Sequence, residues 1–134
     1  SFGMKYSLVI LIFFTQSLYS QLGKNTNSLF EKEGINYDFK DVDPEFTSYS
    51  YSQIVDLDNG KTCDILITYF IDPARDLCFM ETYATCSAAA SAYVKLFDDN
   101  YIKIGSNMWK NYADNTIYTL QIDGDFLIVE YFYD

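Results

Sequence analysis

From Thr47 onward, apolar and polar residues alternate with the period of two that marks half-buried strands, and runs rich in Tyr, Phe, Ile and Val are broken by Asp, Asn and Gly. The clearest unit is a hairpin. With Asp58, Asn59 and Gly60 as a three-residue loop and Gly60 left-handed, Leu57 pairs with Lys61. Val55 then faces Cys63, Tyr51 faces Ile67, and Tyr49 faces Tyr69. A second hairpin turns at Pro73 to Asp76, because Pro favours the first corner of a turn. Pairing Asp72 with Leu77 sets Ile71 opposite Cys78, Tyr69 opposite Met80, Ile65 opposite Ala84 and Cys63 opposite Cys86. Both hairpins then share one apolar face. A displaced register would mix Glu81 into that face, so the pattern disfavours it.

Helical periodicity follows. Ala89, Ala92, Tyr93, Leu96 and Phe97 recur on one face, with Ser87 placed to cap the start and Asn100 to take a left-handed stop. Asp98 and Asp99 sit at the helix end whose dipole disfavours anions, a conflict of about 1 kcal/mol or less when exposed. A solvated helix end is the expectation. The remainder reads as a meander of Tyr101 to Ile104, Met108 to Tyr112, Thr116 to Asp123 and Phe126 to Tyr133. Its last hairpin turns at Gly124-Asp125, pairing Ile122 with Leu127, Leu120 with Val129 and Tyr118 with Tyr131. The opposite face carries Thr119, Gln121 and Glu130 but also Phe126, Ile128 and Phe132, which need cover from a second layer, a partner or the helix.

Before Thr47 the pattern is weaker. A short helix is expected around Ser28 to Glu33, where Ser28 and Glu31 have capping-box spacing and Gly34 can stop it left-handed. Gln21 to Ser28 reads as a partly flexible leader, and Asn36 to Phe46 as an irregular connection or edge strand. The fold class is α+β: a single domain over 21–134 with an antiparallel β-sheet of about six or seven strands, one main helix between two β-rich halves, and a short N-terminal helix.

Residues Met4 to Gln21 change the setting. Lys5 precedes the apolar run Leu8 to Phe14, and polar residues lead to a cleavage site after Ser20, as in an export signal. The run is too short for a retained anchor, which needs about 18 apolar residues or more. The expected localisation is secreted or periplasmic, with no permanent membrane span after cleavage. Ser1 to Gly3 precede the expected initiator and carry no expected role.

Composition supports a single folded domain: 49% of residues are hydrophobic and 19% aromatic, too apolar for a disordered chain. With 19 acidic against 9 basic residues the net charge is -10, which disfavours nucleic acid and favours basic or neutral partners. Three Cys in an oxidising compartment suggest one bond and one thiol left over. The hairpin register makes Cys63 and Cys86 the disulfide candidate and leaves Cys78 as a core thiol. Three buried reduced thiols are the competing reading.

The set Asn100-Tyr101, Lys103, Trp109 and Tyr112, followed by the Tyr118 and Leu120 strand, resembles a pattern in small exported hypothetical proteins of Bacteroidetes. The resemblance spans roughly the second half of the chain. It implies export and an α+β fold, and it transfers no site residues.

Catalytic chemistry is constrained by the absence of His, which removes Ser-His-Asp and Cys-His arrangements and His-based metal sites. No phosphate loop or dinucleotide fingerprint is present. Asp56, Asp58, Asp72, Asp76, Asp114, Asp123 and Asp125 fall at predicted turns, where Asp is favoured by local hydrogen bonding. The Asp56 to Gly60 segment departs from a calcium loop in its Gly position and lacks the closing Glu. No catalytic residue, cofactor or metal is therefore expected. Tyr49, Tyr51, Trp109, Tyr112, Tyr131 and Tyr133 could offer amphipathic surfaces to a protein, peptide or glycan outside the cytoplasm, with core packing as the competing account. The leading expectation is a non-enzymatic binding or interaction module, for example an inhibitor of a basic enzyme. The alternative is a small carboxylate-dependent hydrolase acting on a cell-envelope polymer.

Overall fold

The computed structural model describes residues 21–56 and 60–134. The export segment expected ahead of Gln21, and residues 57–59 of the first hairpin loop, lie outside them. Strands β1 (Phe39–Val42), β2 (Thr47–Asp56), β3 (Thr62–Asp72) and β4 (Leu77–Cys86) precede helix α1 (Ala90–Asn100). Strands β5 (Ile102–Gly105), β6 (Met108–Asn111), β7 (Thr116–Asp123) and β8 (Phe126–Tyr133) follow it. All eight form one antiparallel sheet in the order β1-β2-β3-β4-β8-β7-β6-β5. The protein is thus α+β, and the strand beyond the expected six or seven is β1, the edge-strand alternative for Asn36 to Phe46.

Two meanders of sequential neighbours meet at the β4–β8 seam. Helix α1 carries the chain from the sheet centre to its far edge, and the second meander then works back inward. The first hairpin has the expected register, with Tyr49 opposite Tyr69, Tyr51 opposite Ile67 and Val55 opposite Cys63. Gly60 is left-handed at φ 78°, as its place in the loop requires. The last hairpin also pairs as expected, Tyr118 with Tyr131 and Leu120 with Val129.

The second hairpin departs from the expected register partway along. Asp72 pairs with Leu77 and Ile71 with Cys78, but Phe70 then pairs with Met80. Phe79 is the extra residue of a β-bulge, and every later pair is displaced by one: Tyr69 faces Glu81 rather than Met80, and Leu66 rather than Ile65 faces Ala84. Glu81, Tyr83 and Thr85 consequently turn into the core. Cys86 no longer sits directly opposite Cys63, yet the two form the disulfide with Cα atoms 5.8 Å apart, well within reach of such a bond.

The helical segments differ at their ends from expectation. Ser87–Ala89 form a tight 3₁₀ turn ahead of α1, and no side chain caps either start. The Ser87 N–H instead bonds the Asp125 carbonyl at 2.8 Å, which ties the helix entry to the last hairpin. Asn100 remains helical and Tyr101 is extended. No left-handed stop is needed, because the Asn100 side-chain amide donates to the Leu96 carbonyl at 2.8 Å, satisfying a group at the helix end, and β5 follows directly. The N-terminal segment Asn27–Lys32 is wound wide, with the Glu33 N–H bonded to the Ser28 carbonyl at 3.0 Å. Its cap is Asn25, whose Oδ1 accepts the Ser28 N–H at 2.8 Å, so the Ser28–Glu31 capping box is not used. Gly34 does take the left-handed stop at φ 69°.

Both helical segments lie on one face of the sheet. Phe97 of α1 packs against Trp109, Tyr118 and Tyr131, with ring centroids 5.3, 5.2 and 6.5 Å away. Over the other half, Phe30 meets Tyr49 at 4.5 Å, and Leu22 and Leu29 are buried. Gln21 to Ser28 is therefore tied to β4 rather than a flexible leader, with Leu22 buried: the Gly23 N–H bonds the Cys78 carbonyl and the Cys78 N–H bonds the Lys24 carbonyl, both at 2.8 Å.

Candidate functional site

The bulge in β4 aligns one residue from every strand into a row across the covered face. In sheet order it runs Lys40, Tyr49, Tyr69, Glu81, Tyr131, Tyr118, Trp109 and Lys103, each the direct cross-strand partner of the next. Lysines close the row at both ends, with Lys40 Nζ 5.5 Å from the Tyr49 ring centre and Lys103 Nζ 5.6 Å from that of Trp109. Tyr118 also stacks on Tyr101 at 4.4 Å.

At the centre of the row stands Glu81, 0% exposed and the one buried carboxyl among the described residues. A carboxylate so far from water must be hydrogen-bonded or paired. Its Oε1 accepts the backbone N–H of Gln21 at 2.8 Å. Burial raises the Tyr69 and Tyr83 hydroxyls well above their ordinary range, and the negative charge of Glu81 adds to both shifts. Burial also pushes the Cys78 thiol up to about 12, again with a contribution from Glu81. Cys78 is thus a neutral core thiol, its Sγ directed at the Met80 carbonyl 3.5 Å away, and has no thiolate character for nucleophilic attack.

The sequence reading missed Glu81 because it treated a buried carboxyl as grounds to reject a register. A signal was available: Cys78 and Tyr83 are both apolar and five residues apart, so no unbroken alternation puts them on the same face, and such a break marks a bulge.

The six candidate aromatics separate. Tyr49, Trp109 and Tyr131 are buried in the central row and present no face outward, because the helical segments pack on them. Tyr51 is half-buried, with its hydroxyl 3.4 Å from that of Tyr69. Tyr112 and Tyr133 are exposed, but Lys110 Nζ lies 4.7 Å over the Tyr112 ring and the Tyr133 hydroxyl donates to the Leu22 carbonyl at 3.1 Å. The structure does not gather them into one surface.

Carboxylates near the turns serve the backbone. Asp72 Oδ1 accepts the Ala74 N–H at 2.9 Å and Asp114 Oδ1 the Thr116 N–H at 3.1 Å, while Asp76 itself is left-handed. Among the described residues no three Cys, Asp or Glu side chains gather to hold a metal ion.

The other face of the sheet carries neither helical segment. Ser50, Thr68, Thr82, Glu130 and Thr119 form a mostly hydroxyl row there, with Ser50 and Thr68 oxygens 3.0 Å apart. Apolar rows flank it: Phe70, Met80, Phe132 and Ile117 on one side, and Leu66, Ala84 and Ile128 on the other. Leu66, Ile54 and Phe126 on this face are exposed.

The fold and its unlike faces define a single-sheet α+β protein with one face built into an aromatic core and the other left open by its helices. Comparison with protein-family models, with curated proteins and with solved structures gave no match.

Proposed function

We propose that the protein is an exported, non-enzymatic interaction module whose open sheet face engages a basic protein outside the cytoplasm, for example as an inhibitor of a basic envelope-acting enzyme. The observation that carries this reading is the apolar content of the open face, with exposed Leu66, Phe126 and Ile54 beside half-buried Phe70, Phe132 and Ile128. Asp41, Asp64, Asp123 and Glu130 share that face by register, and the chain as a whole carries a charge of -10. Such a field speeds encounter with a basic surface, and the apolar rows supply the buried contact.

The test is binding of residues 21–134 to a basic lysozyme and to a basic protein fraction from cell envelopes, followed by biolayer interferometry at low and moderate salt. Association is expected to slow by roughly tenfold or more as salt rises. The double variant Leu66→Lys and Phe126→Lys should abolish binding while leaving the fold intact. Absence of specific binding by the unaltered chain at either salt would remove the proposal.

A further inference from the structure

Glu81 is fully buried at the middle of the sheet, and its carboxylate accepts the backbone N–H of Gln21 at 2.8 Å. Gln21 is also the residue that follows the expected export cleavage site. Two independent lines, a signal pattern ending at Ser20 and a buried carboxylate reaching the next nitrogen, meet at one bond. We propose that the bond between Ser20 and Gln21 is a proteolytic maturation site and that Glu81 is the internal receptor for the α-ammonium group that cleavage creates. The inference rests on the export reading for its enzyme, a signal-processing peptidase, and goes beyond it in assigning a docking site.

The step balances with water alone. Hydrolysis breaks the C–N bond between Ser20 and Gln21; the water oxygen joins the Ser20 carbonyl carbon, giving a carboxylate on the released segment. The nitrogen of Gln21 gains the protons and becomes an ammonium ion. An uncharged amide N–H facing Glu81 is thereby replaced by a cation at the same place. The bond from an amide N–H to a carboxylate is already charge-assisted, and an ammonium in its place adds the direct attraction of opposite charges, which is strong away from water.

The nitrogen is positioned by residues other than Glu81. Gly23 and Lys24 bond both backbone groups of Cys78 at 2.8 Å, and the Leu22 carbonyl accepts the Tyr133 hydroxyl at 3.1 Å. Gly23 has φ 81°, where a residue with a Cβ is strained, and a Cβ there would crowd Tyr133 Oη at 3.1 Å, so glycine suits this anchor. The segment therefore aims whatever nitrogen Gln21 carries at the carboxylate. The same geometry shelters the new amine. Held as a paired ammonium, it lacks the lone pair needed to attack the Gln21 side-chain carbonyl, form a lactam and expel ammonia.

The experiment compares two chains, one beginning at Gln21 and one retaining Ser20, each with Glu81 and with Glu81→Gln. With Glu81 present, the chain beginning at Gln21 should be the more stable, by about a hundredfold or more in its unfolding equilibrium constant. With Glu81→Gln that advantage should vanish or reverse, because Gln accepts an amide N–H without requiring a buried charge. Equal effects of Glu81→Gln in both chains would overturn the proposal. As a second readout that tolerates a poorly folding variant, the α-amine of the unaltered chain should resist acylation near neutral pH relative to its lysines. A freely acylated amine, or complete conversion of Gln21 to the lactam, would overturn it as well. Mass determination of the protein recovered from exporting cells separates this idea from the export reading. Cleavage at another bond overturns the maturation site alone, and no cleavage overturns both.

Discussion

Asp98 stands in the last turn of α1, where the helix end disfavours a carboxylate. Its Oδ1 accepts the indole N–H of Trp109 at 2.8 Å, and Trp109 is 0% exposed, so that donor has no access to water. A residue unfavourable for its own helix thus satisfies a group on a strand. Asp98→Ala should destabilise the fold by about 1–2 kcal/mol, the penalty for an unsatisfied buried donor less the relief at the helix end. Asp98→Asn should recover most of this, since its side-chain carbonyl still accepts. The single Trp makes denaturant unfolding followed by its fluorescence a local report, and an unchanged midpoint for Asp98→Ala would contradict the assignment. The acid at the helix end was visible in the sequence. Its partner was not, because Trp109 reaches it only once α1 has packed across β6.

For the elements, legibility ended where local pattern ceased to decide. Turn chemistry at Gly60 and Gly124-Asp125 determines two registers correctly, because those loops leave little freedom at the strand ends. The Pro73 turn likewise fixed its first two pairs. Beyond Cys78 the bulge at Phe79 exchanged Met80 and Ala84 for Glu81 and Tyr83, a choice settled by the N-terminal segment and by Tyr131 across β8. The disulfide survived that exchange because Cys63 and Cys86 lie at the ends of β3 and β4, where one residue of displacement still leaves them in reach. With a sequence separation of 23, closing that loop contributes about 3 kcal/mol in the chain-entropy model. Replacing both residues with Ala should lower stability by roughly that amount, measured by urea unfolding, and leave the far-UV spectrum unchanged. A loss no larger than that of a surface substitution would mean the hairpin already restrains the ends.

Across the whole molecule, the covered face is completed by chain from both sides of the sequence, and the open face is left with apolar rows inside a strongly acidic envelope. The edges are not the exposed hazard: β1 and β5 are only four residues each, too short to template another chain well. Two forces then act on any pair of copies, mutual repulsion from a charge of -10 on the full chain, one unit more negative without Lys5, and attraction between open faces. Salt shortens the range of the first, from about 30 Å at 0.01 M to about 3 Å at 1 M, and leaves the second intact or stronger. Self-association should therefore increase with salt, whereas capture of a basic partner should decrease, so the two responses have opposite sign. Light scattering of residues 21–134 across that range measures the first response. Leu66→Lys with Phe126→Lys makes the chain less negative and so weakens repulsion; if the double variant nevertheless stays monomeric at high salt, the apolar face is what drives association. Association that persists or grows in that variant would place the contact elsewhere on the molecule.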